Sequence, residues 1–125
     1  MAGTIVADDL QHSTAGSVGT EYVVNGSAKA WCYISSSGTV VSDSLNVGSV
    51  TDNGVGNYQP NFSSNMSNAT FNTTTTSGNH ATSHNCSGFT ASNTTSRFLI
   101  RCANGAESAV TDLLNTYGLI HGDLA

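Results

Sequence analysis

Short runs of alternating apolar and polar residues, separated by clusters of Asn, Gly, Ser and Asp, dominate this chain. In one of the clearest, Ala28, Ala30, Cys32 and Ile34 alternate with Lys29, Trp31, Tyr33 and Ser35. A period of two sets the first group on one face of a strand and the second on the other. Both faces are partly apolar, so a central strand is expected, with Trp31 read as core. Tyr22-Val23-Val24, ahead of the turn signal Asn25-Gly26-Ser27, opens the same strand region. Val40-Val41, Leu45, Val47 and Val50 mark a second one. The run from Asp52 to Tyr58 is dense in turn residues, and its Asn53-Gly54 is a strong hairpin dipeptide. Tyr58, Pro60 and Phe62 then share one side of a strand. Proline cannot donate to a ladder, so Pro60 is expected at a sheet edge or a strand start. The whole reads as a β-hairpin with residues 52–57 at its tip.

The stretch 63–96 is of low complexity, with Met66, Phe71 and Phe89 as its large apolar anchors. Asn72 to Thr76 can still be strand, because threonine is β-branched. Phe98-Leu99-Ile100-Arg101-Cys102 is a short strand. Ala109, Val110, Leu113, Leu114 and Tyr117 have helix-like spacing, whereas Thr116 to His121 fits a closing strand; periodicity leaves both open. No repeat of fixed period is visible. Roughly seven or eight short strands broken by turns predict an all-β fold, an antiparallel β-sandwich or jelly-roll-like domain over 21–125. Residues 1–20 are expected as an extended N-terminal arm, with Thr4, Ile5, Val6 and Leu10 as its attachment residues and 13–19 as flexible linker. Such an arm anchors to a partner or adds a strand to a neighbouring sheet. A frayed terminus is the plainer reading.

Composition sharpens the picture. Ser, Thr, Asn and Gly make up 60 of the 125 residues, and only 9% are charged, against about 25% in an average domain. Disorder is a competing reading of such a chain, but 38% hydrophobic residues suffice for a small core. Lys29, Arg97 and Arg101 are the only Lys or Arg residues and the net charge is −5, which excludes a non-specific nucleic-acid binder. No apolar run approaches the ~20 residues of a membrane helix. The N-terminal residues lack the basic start and apolar core of a signal peptide, so none is expected. Uncharged polar faces are tolerable where partner subunits cover them, since exposed sheet edges normally rely on charge to block association. Self-association is therefore expected.

Candidate chemistry is sparse. Cys32, Cys86 and Cys102 match no zinc spacing, and an odd count without an export signal predicts buried, inert thiols. His80, His84 and Cys86 could reach one metal ion, but no fourth ligand is apparent, so neither metal nor cofactor is expected. Asp43 with Asp52-Asn53-Gly54 lacks the spacing and terminal Glu of a calcium loop. No nucleophile elbow and no paired acid and base stand out, which predicts a non-enzymatic protein. Seven Asn-x-Ser/Thr sequons are read as a by-product of the Asn- and Thr-rich surface.

Val24-Asn25-Gly26-Ser27-Ala28-Lys29-Ala30-Trp31 resembles the NGSAKAW motif of small modules in tailed-phage virion proteins, often tail-fibre proteins. Asp43 to Val47, Val50 to Tyr58, Phe62 and Met66 are similar to the parts that follow, and His121-Gly122-Asp123-Leu124 resembles the module's end. Thr4-Ile5-Val6 to Leu10-Gln11-His12 resembles the segment preceding it in marine phage fibres. The similarity is strong over 22–62 and weak over 63–105. Cys32 and Pro60 depart from the pattern, at a usually aliphatic position and in a usually continuous strand.

The resemblance implies an all-β structural component of the virion, usually a homotrimer, assembled in the bacterial cytoplasm. If the C-terminal segment follows the family, 117–121 is strand. A fibre-like tail component contacting the host surface is the leading expectation. A capsid decoration protein held to the major capsid protein by its arm is the alternative, and a carbohydrate-binding module the third. Loops rich in Asn, Thr and Tyr would suit a surface glycan through amide and hydroxyl hydrogen bonds. Asp52, Asn53, Asn57, Tyr58, His80 and His84 are the candidate receptor-facing residues. Nucleic acid and membrane are not expected partners.

Overall fold

A computed structural model describes residues 3–35, 41–78, 84–88, 92–104, 109–113 and 115–125, with only the backbone at 41–42, 78, 84–88 and 104. Two four-stranded antiparallel sheets face each other across one hydrophobic core. The first contains β3 (Ala30–Ser35), β4 (Val41–Leu45), β7 (Asn72–Gly78) and β10 (Asn115–His121), in the order β4-β3-β10-β7. The second contains β5 (Val47–Asp52), β6 (Asn57–Phe62), β8 (His84–Gly88) and β9 (Ile100–Asn104), in the order β5-β6-β9-β8. The all-β antiparallel sandwich expected from the turn-punctuated pattern is the observed fold, and 115–121 is its closing strand.

Alternation sets the phase of each strand. Ala30, Cys32 and Ile34 of β3 and Thr116, Gly118 and Ile120 of β10 point inward. From the second sheet come Val47, Tyr58, Phe62, Ile100 and Cys102, joined by Met66, Phe71 and Phe98 from the connections. The two inner faces are unequal: apart from Ile34 and Ile120, β3 and β10 offer small side chains, which meet aromatic and aliphatic ones from the second sheet. Phe98 lies against Gly118, where a Cβ would come within 3.0 Å of the ring. Phe62 stacks on Phe98 and meets Phe71 edge-on, with centroids at 5.6 and 5.5 Å.

Asn46 alone links β4 to β5 and so carries the chain from one sheet to the other. Its φ of 54° lies in the left-handed region that asparagine tolerates better than most residues. Its side chain donates to Ser64 O at 3.0 Å and accepts from Ser64 N at 2.7 Å, bracing the return connection after β6.

Three local expectations change. Residues 22–24 are helical, within α1 (Thr20–Gly26), rather than strand. Pro60 is in β6, an interior strand rather than an edge. Its carbonyl accepts from Phe98 N on the β9 side, where paired positions extend only over Asn57 and Tyr58, so the missing donor falls beyond that short ladder. Trp31 is half-buried and faces outward from β3, opposite the core positions. Ahead of α1, β1 (Asp9–His12) and β2 (Gly16–Gly19) form an antiparallel hairpin with each other.

Gly118→Val should lower stability by about 1–3 kcal/mol through overpacking against Phe98, despite valine's higher strand propensity. Urea unfolding measures this, and adding Phe98→Leu should recover part of the loss.

Candidate functional site

The 52–57 turn is built by its own polar groups. Asp52 Oδ1 accepts from Gly54 N at 2.8 Å, and Asn57 N donates to Gly54 O at 2.9 Å. Asn57 Nδ2 caps Val55 O at 2.8 Å. The turn is docked rather than free. Gly56 N donates to Asp112 Oδ1 at 2.7 Å, and Cys102 N donates to Gly56 O at 2.7 Å. Gly56 has φ +65°, and a Cβ there would stand 2.5 Å from Cys102 O, so the close approach requires glycine.

Tyr58 is not receptor-facing. It is 1% exposed, because period two turns it into the core beside Ile100, and its hydroxyl donates to Asp112 Oδ1 at 3.0 Å. Burial first, and then the Asp112 carboxylate, hold its phenol well above the ordinary value. Asp52 and Asn53 are exposed, and Asn57 is half-buried. His80 lies outside the described residues, and the His84 and Cys86 side chains do too. Among the described residues, no group of three His, Cys, Asp or Glu side chains could hold a metal ion, and no helix is long and apolar enough to cross a membrane.

The N-terminal residues keep their apolar side chains outside. Ile5 and Val6 are 90% and 92% exposed, Thr4 and Leu10 are also exposed, and α1 contains no buried residue. Thr20 N and Oγ1 donate to Asp8 O at 2.8 and 3.1 Å, and Oγ1 also donates to Ala7 O at 2.6 Å, tying α1 to the residues just before β1. Between them runs an open trough of about 440 Å³ lined by Ile5, Val6, Leu10, Val23 and Val24.

The two outer sheet faces differ in chemistry. On the first sheet, Trp31 is opposite both Leu45 and Leu119, and Tyr33 is opposite Tyr117. The two tyrosine rings stack at 5.1 Å, and Tyr33 OH donates to Asn115 Oδ1 at 2.6 Å. Leu45 and Tyr117 are 47% and 41% exposed. Trp31, Thr74, Thr76, Tyr117 and Leu119 line a shallow groove of about 260 Å³.

On the second sheet the outer positions are amides, hydroxyls and arginines. Ser49 and Thr51 of β5 are opposite Asn61 and Gln59 of β6, and Arg101 of β9 is opposite Asn57. Asn61 Nδ2 donates to Ser49 Oγ at 3.2 Å and Thr51 Oγ1 at 3.1 Å. Gln59 Nε2 donates to Asn61 Oδ1 at 3.0 Å, and an Arg97 guanidinium nitrogen donates to Gln59 Oε1 at 2.9 Å. Sequence reasoning picked out the hairpin tip but missed this face. The alternation Ser49, Thr51 and Gln59, Asn61 around inward Val50 and Pro60 was the signal that could have found it.

The cysteines separate into two kinds. Cys32 is a free thiol, buried, and burial pushes it up to about 12 from 9.0. Cys102 is disulfide-bonded, which corrects the expectation of three free thiols. Its backbone is directly opposite Cys86 of β8, the only other cysteine besides Cys32.

Comparison with family models, curated proteins and solved structures finds no match for this chain.

Above pH 9 the unfolded chain ionises Cys32, while the native state keeps its proton until about 12. Tyr58, also raised, acts in the same direction from its ordinary value of 10 upward. Stability present below pH 9 should therefore fall progressively above it. Urea midpoints between pH 8 and 11 should decline, and less steeply in Cys32→Ala. The native protein should expose no thiol to an aromatic disulfide reagent, whereas the denatured, unreduced chain should expose one.

Proposed function

We propose that this chain is a non-enzymatic structural protein of a tailed-phage virion, a fibre-like tail component that self-associates, as a trimer, and attaches through its N-terminal arm, residues 1–20. The observation that carries the reading is the placement of apolar side chains. The sandwich completes its core from residues 30 onward, while none of the large apolar residues from Ile5 to Val24 is buried. A two-stranded hairpin and one short helix are marginal on their own, so this segment suits a surface that covers it.

Self-association draws support from the outer face of the first sheet. Antiparallel sandwiches usually turn polar residues to water, whereas Trp31, Leu45, Tyr117 and Leu119 stand on this one. A disulfide-bonded Cys102 also suits a particle released into an oxidising medium.

Ile5→Asp with Val6→Asp should leave the thermal midpoint of the purified chain within about 1 °C, since surface changes of this kind cost little. The same pair should abolish incorporation into particles. Normal occupancy in virions would overturn the attachment role. Immunogold label is expected on the tail; label over the head shell would assign the chain to capsid decoration. Light scattering at micromolar concentration should give about three times the 12.8 kDa chain mass, and a monomer would dismiss the self-association.

A further inference from the structure

We propose that the outer face of the β5-β6-β9 sheet, together with the cavity at its end, binds an acidic polysaccharide carrying carboxylates. This inference concerns a different surface from the one that carries the virion reading and stands without it.

A cavity of about 450 Å³ opens where β6, β9 and the 52–57 turn meet, lined by Asn53, Asn57, Ser92, Leu99, Arg101 and Val110. Its polar groups are two amides, a hydroxyl and a guanidinium, and its apolar surface comes from Leu99, Ile100 and Val110. A pyranose ring presents the same two chemistries, with hydroxyls at its rim and C–H groups on its faces. Amides and hydroxyls both donate and accept, as sugar hydroxyls require, and a few placed polar groups over apolar walls are the usual make-up of a ligand pocket.

The site continues along β6. Asn57 and Asn61, opposite Arg101 and Arg97 respectively, are four strand residues or about 13 Å apart. A chain of several sugars could follow that row. The hydrogen bonds among Ser49, Thr51, Asn61, Gln59 and Arg97 fix these side chains before any ligand arrives, which lowers the ordering cost of binding.

Charge selects the ligand. Arg97 and Arg101 are two of only three Lys or Arg residues in a chain of net charge −5, and both are opposite outward-facing residues of one strand. Guanidinium groups recognise carboxylates bidentately. Arg97 is held by its bond to Gln59 Oε1, and Arg101 is exposed beside the cavity. Two arginines are too few for a nucleic-acid backbone.

The test is affinity electrophoresis and calorimetry of the full chain with polygalacturonate, neutral dextran and dextran sulfate. Polygalacturonate should bind, neutral dextran at least about tenfold more weakly, and dextran sulfate more weakly than the uronate. Arg101→Ala should weaken uronate binding by about tenfold or more, and Arg101→Lys should not restore it, because lysine lacks the bidentate fork. Asn57→Asp should weaken it as well, by placing a carboxylate beside the site. Unchanged thermal midpoints keep these losses attributable to the face. Absence of uronate binding, equal binding of dextran, dextran sulfate as tight as uronate, or an undiminished Arg101→Ala would each overturn the proposal. Failure of the chain to enter virions would leave it standing.

Discussion

The fit of Phe98 against Gly118 is the constraint on which the rest of the architecture depends. Phe98 is fully buried, and the strand opposite it has no room there for a Cβ without displacing the ring. The same inequality runs along the interface. Around Ile34 and Ile120, one inner face is built from Ala30, Cys32, Thr116 and Gly118, whereas the other carries Tyr58, Phe62 and Ile100. Large against small across a layer lets a chain with few large apolar residues reach close packing. Beyond Ile34 and Ile120, the inner side of the first sheet carries no large residue of β3 or β10. Trp31, Tyr33, Tyr117 and Leu119 are turned out.

This explains what could be read from the sequence and what could not. Alternation is a local property, and it gave the right partition in β3 and β6. Ala30, Cys32 and Ile34 do share a face, as do Tyr58, Pro60 and Phe62. Which face is inner is settled by the opposing sheet. Its place in the middle of a strand favoured Trp31 for the core, but the inner face of β3 belongs to Ala30, Cys32 and Ile34. Tyr58 fails as a loop residue for the same reason: it stands next to a turn, yet its phase points it at Ile100 and Asp112. Tyr22-Val23-Val24 reads as strand by composition, but no sheet lies in register to pair it, and a local helix satisfies its backbone instead. The polar row on β5 and β6 was hidden because Ser, Thr, Asn and Gln look like turn residues until their register is known.

Asn46 shows how a tight corner limits the alternatives. A one-residue crossing between sheets allows no slack in the register of β4 or β5. A slip of one residue would turn every side chain of a strand to the wrong face. Its two hydrogen bonds to Ser64 fix the outgoing and returning connections to each other. The irregular pairings at Tyr33/Ile34 and at Val47/Ser49 flank this corner on both sheets. Bulges of that kind bend and twist strands locally, as a corner requires.

The two outer faces follow from this division of labour. A sandwich whose core is filled in large part by one sheet's aromatic residues leaves the other sheet with its own aromatic groups outside. The second sheet spends its large residues inward and is left with Ser49, Thr51, Asn57, Gln59 and Asn61 on its outer face. Those groups bond to one another as well as to water, so the face can stay hydrated and soluble with little charge. An aromatic face has no such option, since its hydration is unfavourable in proportion to the apolar area exposed. One sheet therefore suits burial against a like chain, and the other suits exposure to a hydrated ligand. In a fibre-like assembly both could be used at once, because they lie on opposite sides of the same core.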